Sequence, residues 1–225
     1  MNHVNKKGFT LIELMLAMGF VSVLLIAIAM IVIQIGNIYN RGLTLKEVNQ
    51  AGRSIVSELQ RSINSSTPFD LSTRYKYNAS GGRLCIGKYS YIWNYGKAIG
   101  DVNAYKNKYL NDDNTEIRFI KVLDTNASYC IDTSKAVVAG DAIEMLNVGQ
   151  HNLAIHSFDI VSAAIDSKTG QQLYNISFVI GTNDKQALNT SASTCKPPSE
   201  VGSDINYCSI NEFNITVRAG NGVGQ

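Results

Sequence analysis

Lys6-Lys7-Gly8-Phe9-Thr10-Leu11-Ile12-Glu13 opens the stretch whose reading decides the fold, and an apolar run from Leu14 to Ile33 follows it. Two lysines close a short polar opening, and a glycine and a phenylalanine then begin a hydrophobic segment. Glu13 is the one carboxylate near its start, and no further charge appears until Arg41. The run of 20 residues is long enough, as a helix rising about 1.5 Å per residue, to cross a bilayer core of about 30 Å. A carboxylate at the bilayer centre costs roughly 2.5–3.5 kcal/mol and less near the edge. Glu13 lies near the edge, and its presence still calls for a partner.

Two plain explanations compete. An ordinary secretory signal has a shorter apolar region with a small-x-small cleavage site after it. Here the run is long, and Gln34-Ile35-Gly36-Asn37-Ile38-Tyr39 fits such a site poorly. A simple single-span anchor fits the length but explains neither Glu13 nor the Gly8-Phe9 junction.

Over Lys6 to about Ile33 the sequence resembles the type IV pilins, including the pseudopilins of type II secretion and DNA-uptake machines. The resemblance rests on the basic opening, Gly8, Phe9, Glu13 and the apolar helix after them. It implies a leader over residues 1–8, cut between Gly8 and Phe9 by a prepilin peptidase that then methylates the amine of Phe9. It also implies that Glu13 neutralises the N-terminal amine of a neighbouring subunit during assembly. Physically, a lone carboxylate is poorly placed in lipid, whereas one facing an ammonium in a dry filament core gains strong attraction. Many major pilins carry a glycine and a proline within the membrane half, where this chain has Ser22 and Met30. Without proline, which removes a backbone hydrogen bond, the helix is expected to be more continuous. Gly19 and Gly36 remain weak points, and Gly19 with Ser22 could permit close helix approach.

The chain has 225 residues and a formal net charge of +2. Loss of Lys6 and Lys7 with the leader would cancel that charge, which leaves no argument for a nucleic-acid partner through phosphate attraction. The same lysines place the N-terminus inside and the remainder outside. Four cysteines, Cys85, Cys130, Cys195 and Cys208, all lie beyond the apolar run. In an oxidising compartment they read as disulfides with three possible connectivities. The favoured one is Cys85–Cys130 with Cys195–Cys208, because the second pair brackets one polar loop. Zinc is the rival, but there is no Cys-x-x-Cys and no histidine close to a cysteine.

The expected organisation is α+β: a long helix over 9–66, with its membrane segment at about 14–33, and an extracytoplasmic β-rich domain over 67–225. Beyond Tyr39, Leu45, Val48, Ile55, Val56, Leu59 and Ile63 recur every three to four residues, so the outer half of the helix presents an apolar stripe to the domain. Asn64-Ser65-Ser66-Thr67-Pro68 ends it. Expected strands include Arg83–Ile86, Tyr89–Tyr95, Glu116–Leu123, Ser128–Asp132, Leu153–Ser162, Leu173–Ile180 and Phe213–Arg218. The segment Val137–Leu146 is ambiguous between helix and strand, and Gly181–Tyr207 is a polar loop. Tyr89, Tyr91, Trp93 and Tyr95 share one face of their strand. Such a row serves cross-strand packing more often than surface binding.

No catalytic pattern appears: no Gly-x-Ser-x-Gly, no His-Glu-x-x-His and no phosphate loop. His151 and His156 read as ordinary polar residues, and Gly220–Gly224 as a flexible end. Asp112, Asp113, Asn114 and Glu116 could offer oxygens to calcium, but the glycine and final glutamate of an EF loop are missing. No cofactor is expected. The layout of hairpin, cysteine-bracketed loop and terminal strand is similar to the larger minor pilins and pulling-complex pseudopilins. That resemblance implies a non-enzymatic minor subunit, held in the cytoplasmic membrane and then in an extracellular filament or pseudopilus. Its partners would be the prepilin peptidase, the major pilin, other minor pilins, the lipid bilayer, and an inner-membrane platform driven by a cytoplasmic ATPase. A membrane-tethered adhesin or binding module that never polymerises is the alternative.

Overall fold

A computed structural model of the chain describes residues 8–99, 107–146, 152–184, 186–189, 194–204 and 206–220. Its contacts divide it into two units, one ending at Asn40 and one starting at Arg41. Helix α1, Leu11–Asn64, runs for 54 residues, as the unbroken apolar segment and absence of proline lead one to expect. It stops where serines compete for its last carbonyls. Ser65 Oγ donates to Ser62 O at 3.1 Å and Ser66 Oγ to Ile63 O at 2.9 Å, just before Pro68 bars continuation.

The second unit continues with a short helix, α2 (Leu71–Arg74), capped by the Asp70 carboxylate, which accepts from Ser72 N. The strands β1 (Tyr75–Tyr77), β2 (Gly81–Ile86), β3 (Tyr89–Asn94), β4 (Lys108–Tyr109), β5 (Asp112–Glu116) and β6 (Phe119–Leu123) follow. After helix α3 (Ser128–Ile131) come β7 (Ala142–Glu144), β8 (Leu153–Ile165), β9 (Gln172–Thr182), β10 (Leu188–Asn189), β11 (Thr194–Cys195) and β12 (Ile210–Ala219). They form a five-stranded sheet ordered β1-β2-β3-β6-β7, a three-stranded sheet ordered β12-β9-β8, and two small ribbons, β4-β5 and β10-β11. Every pairing between named strands is antiparallel. The α+β class is therefore established.

The main core lies between α1 and the two larger sheets. Its largest fully buried members include Trp93, Tyr91, Tyr174, Phe119 and Phe178. Each such side chain withdrawn from water contributes roughly 1.5–3 kcal/mol. A ring contact links the sheets, Trp93 to Phe158 at 4.4 Å between centroids, and the row continues across the three-stranded sheet from Phe158 to Phe178 at 5.9 Å and Phe178 to Phe213 at 5.4 Å. Tyr91 and Trp93 are thus packing residues. The opposite face of β3 is buried as well, where Ile92 meets Ile120, Val122, Tyr109 and Tyr129.

The helix stripe differs from the expected one. Val48, Ile55, Leu59 and Ile63 are fully buried, but Leu45 is exposed and Val56 only partly buried. Thr44, Ala51, Gly52 and Ser62 complete the buried face. The seam is narrower than a count of large apolar residues suggests, because small residues let the helix approach the sheet. A Cβ on Gly52 would fall 2.1 Å from the ring of Phe213.

Two local expectations are corrected and one open reading is decided. Ser128–Asp132 is not a strand but the turn of α3. The Asp124 carboxylate accepts from Ser128 N at 2.9 Å and Tyr129 N at 3.1 Å, organising a helical start after Ala127 with φ of 52°. Glu116–Leu123 is broken between β5 and β6, where the Glu144 carboxylate takes the N–H groups of Arg118 and Phe119. Val137–Leu146 contains both a 3-10 turn at Ala139–Asp141 and the strand β7. The β8–β9 hairpin forms where alternation called for it, and extends further. Its turn rests on the Asp166 carboxylate, which accepts from Lys168 N and Thr169 Oγ1, and on Gly170 with φ of 68°.

Candidate functional site

Gly8, Phe9 and Glu13 lie together at the head of α1. Thr10 precedes the first helical residue, and its Oγ1 accepts from Glu13 N at 3.3 Å. In return Glu13 Oε2 accepts from Thr10 N at 2.9 Å and from Thr10 Oγ1 at 2.8 Å. This is a reciprocal capping box, in which Thr and Glu three residues apart satisfy helix-end N–H groups. The resemblance assigns Glu13 an assembly role alone. The Thr-x-x-Glu spacing before an apolar run is the signal that would have exposed its local task.

No residue from 8 to 39 is buried, although the segment is rich in Leu, Ile, Val and Met. Phe9 is 77% exposed, and α1 is the one helix among the described residues long and apolar enough to cross a membrane. Contiguous apolar surface of this extent is rare on soluble chains, and its length and composition fit a membrane-crossing helix. Within this stretch Ser22 returns its hydroxyl to Met18 O at 2.8 Å, which satisfies it in an apolar setting. The expected leader occupies residues 1–8, of which 1–7, with Lys6 and Lys7, lie outside the described residues.

The second unit holds the cysteines. Disulfides join Cys85 to Cys130, with Cα atoms 6.3 Å apart, and Cys195 to Cys208, with Cα atoms 5.8 Å apart. The first is buried and ties β2 to α3; the second closes the loop before β12.

Polar side chains with chemistry to offer are engaged structurally. Glu58 on α1 accepts from Lys121 Nζ at 2.6 Å and from the Tyr91 hydroxyl at 3.0 Å, while Ser62 and Tyr91 share a 2.5 Å bond. Burial disfavours the Glu58 anion, but the bonds from Lys121, Tyr91 and Ser62 outweigh it and hold the carboxyl below its ordinary range. Burial pushes the Tyr91 phenol upwards. Arg83, buried within the second unit, donates to Asn107 Oδ1 and to the carbonyls of Tyr129, Asp132 and Lys135. It knits the α3 region to β2. His156 is held below its usual value by burial, and one ring nitrogen meets Thr182 O at 3.2 Å.

His151 lies outside the described residues, as do the side chains of Asp113 and Asn114, while Asp112 Oδ1 accepts from Thr115 N. Among the described residues no group of three or more His, Cys, Asp or Glu is placed to hold a metal ion. Of the Gly220–Gly224 end, only Gly220 is described. Comparison with protein-family models, with curated proteins and with solved structures finds no match to this chain.

Proposed function

We propose that the chain is a minor subunit of a type IV pilus or a related pseudopilus, acting in filament initiation, at the tip or in surface contact. The observation that carries this reading is the head of α1. A Gly8-Phe9 junction and a carboxylate at Glu13 open a helix whose apolar residues as far as Tyr39 are all exposed. Bilayer lipid would cover that surface before assembly, with the N-terminus inside, and the helices of other subunits would cover it afterwards. Cleavage after Gly8 leaves the Phe9–Thr10 peptide intact, so the cap survives processing. The bonds from Thr10 fall on Oε2, and Oε1 has no partner among the described residues. An ammonium from a neighbouring chain could therefore meet Glu13 without dismantling the cap.

The capping box dictates the test. Glu13→Ala removes charge and cap together, whereas Glu13→Gln keeps a cap-competent side chain without the charge. The expected result is that Glu13→Gln is processed to begin at Phe9 but no longer enters filaments. Normal incorporation of the Gln variant, or intact-mass analysis of sheared filaments finding residues 1–8 still attached, would overturn the reading. The tethered adhesin is the second reading, since the exposed helix alone also fits a permanent anchor; it predicts normal surface display and binding for both variants.

A further inference from the structure

Among the described residues β12 is an edge strand of the three-stranded sheet along Glu212–Arg218. Among the described residues no backbone group of that stretch bonds to anything but β9. Ser209 O receives Thr182 N, so odd-numbered residues of the strand turn towards β9. Even-numbered residues therefore turn their N–H and C=O groups outwards, as Gly220 N does in reaching Ser66 O at 3.0 Å. An edge of this length is a template for another strand.

Its side chains are matched to one particular occupant. Glu212 and Arg218 are both exposed, and stand three residues on either side of Ile215. The Glu212 carboxylate is held on the sheet surface by Ser177 Oγ at 3.2 Å and Asn214 Nδ2 at 3.1 Å. Towards the core, Phe213 and Ile215 remain only partly buried.

We propose that β12 pairs with β12 of a second copy of this chain, antiparallel and centred on Ile215. In that register Glu212 faces Arg218 of the other copy twice over, Asn214 faces Thr216, and the two Ile215 side chains meet across the axis. The outward-facing even residues oppose one another, so backbone bonds form without shifting either strand. Ser66 closes one end of each edge and limits the pairing to about the stretch from Glu212 to Arg218. The twofold reverses chain direction between the domains. Under the filament reading, the pair therefore joins subunits of opposing filaments rather than neighbours in one polar filament.

Charge reversal tests it on the full-length chain in detergent micelles, by sedimentation at several protein concentrations. The wild type is expected to dimerise, and Glu212→Arg and Arg218→Glu each to weaken dimerisation by on the order of tenfold or more. An equimolar mixture of the two variants should pair again, because each supplies the charge the other lacks. Unchanged circular dichroism would show that both variants fold. A wild type that stays monomeric would make the two charges guards against edge pairing and overturn the proposal. So would a dimer indifferent to both reversals, which would come from the apolar helices.

Discussion

A carboxylate three residues after a threonine, at the head of an apolar run, satisfies a helix end whatever else it does, and Glu13 has the bond lengths of that cap. A neutral variant at this position is therefore informative only if it keeps the cap, and loss of an N-cap interaction by itself costs about 0.5–2 kcal/mol. Gly52 makes a similar point for packing. A glycine in the interior of a helix costs about 1 kcal/mol relative to alanine, yet here a Cβ would collide with the Phe213 ring. Gly52→Ala should lower stability by about 1–3 kcal/mol, although it raises helix propensity. Phe213→Leu, which frees space at the contact, should recover part of that loss, so the double variant should be more stable than the sum of the single effects allows. Chemical denaturation of the four proteins measures the coupling, and strict additivity would show that the contact is not the cause.

Among elements, the long helix, the β8–β9 hairpin and the terminal strand were legible because each has one dominant period and a chemical stop signal. Pro68 follows two serines, Gly170 closes an Asp-led turn, and Tyr174, Ile176, Phe178 and Ile180 alternate. The buried face of α1 was legible only through its large residues. Thr44, Ala51 and Gly52 carry no large apolar side chain, and only the sheet packed against them marks them as buried. The sequence of α3 reads as a strand because Tyr129 and Ile131 favour strands, while the deciding group, the Asp124 carboxylate, precedes them in sequence. At the candidate site, Gly8, Phe9 and Glu13 stand out in the sequence as a group, whereas the partnership of Glu13 with Thr10 shows only in the Thr-x-x-Glu spacing. Asp124→Ala should accordingly loosen α3. Hydrogen exchange at the Ser128 and Tyr129 amides should speed up, and stability should fall by about 1–3 kcal/mol as buried donors lose their acceptor. Unchanged protection of those amides would assign the helical turn to the disulfide at Cys130 instead.

For the whole second unit, burial sets how stability responds to acid. The folded pKa of His156 lies below its ordinary 6.5, so the unfolded chain takes up the proton first. The contribution of neutral His156 is complete above about pH 6.5 and declines as pH falls towards the folded value. Among the described residues the ring meets the Thr182 carbonyl, and Gly96 and Asn183 lie beside it. Glu58 acts later. Its folded pKa is also depressed, by Lys121 and the hydroxyls around it acting against burial. Its contribution is present above the ordinary carboxylate range and disappears as pH falls through the lowered value. Stability should therefore decline in two stages, the first below neutrality and the second below about pH 4. His156→Gln should flatten the first stage and leave the second, whereas Lys121→Met, which removes the cation facing Glu58 and lets burial raise its folded pKa, should shrink the second stage. Denaturant midpoints measured from pH 8 to 3 separate the two. A His156→Gln profile parallel to that of the wild type between pH 7 and 5 would show that this imidazole is not the group responsible.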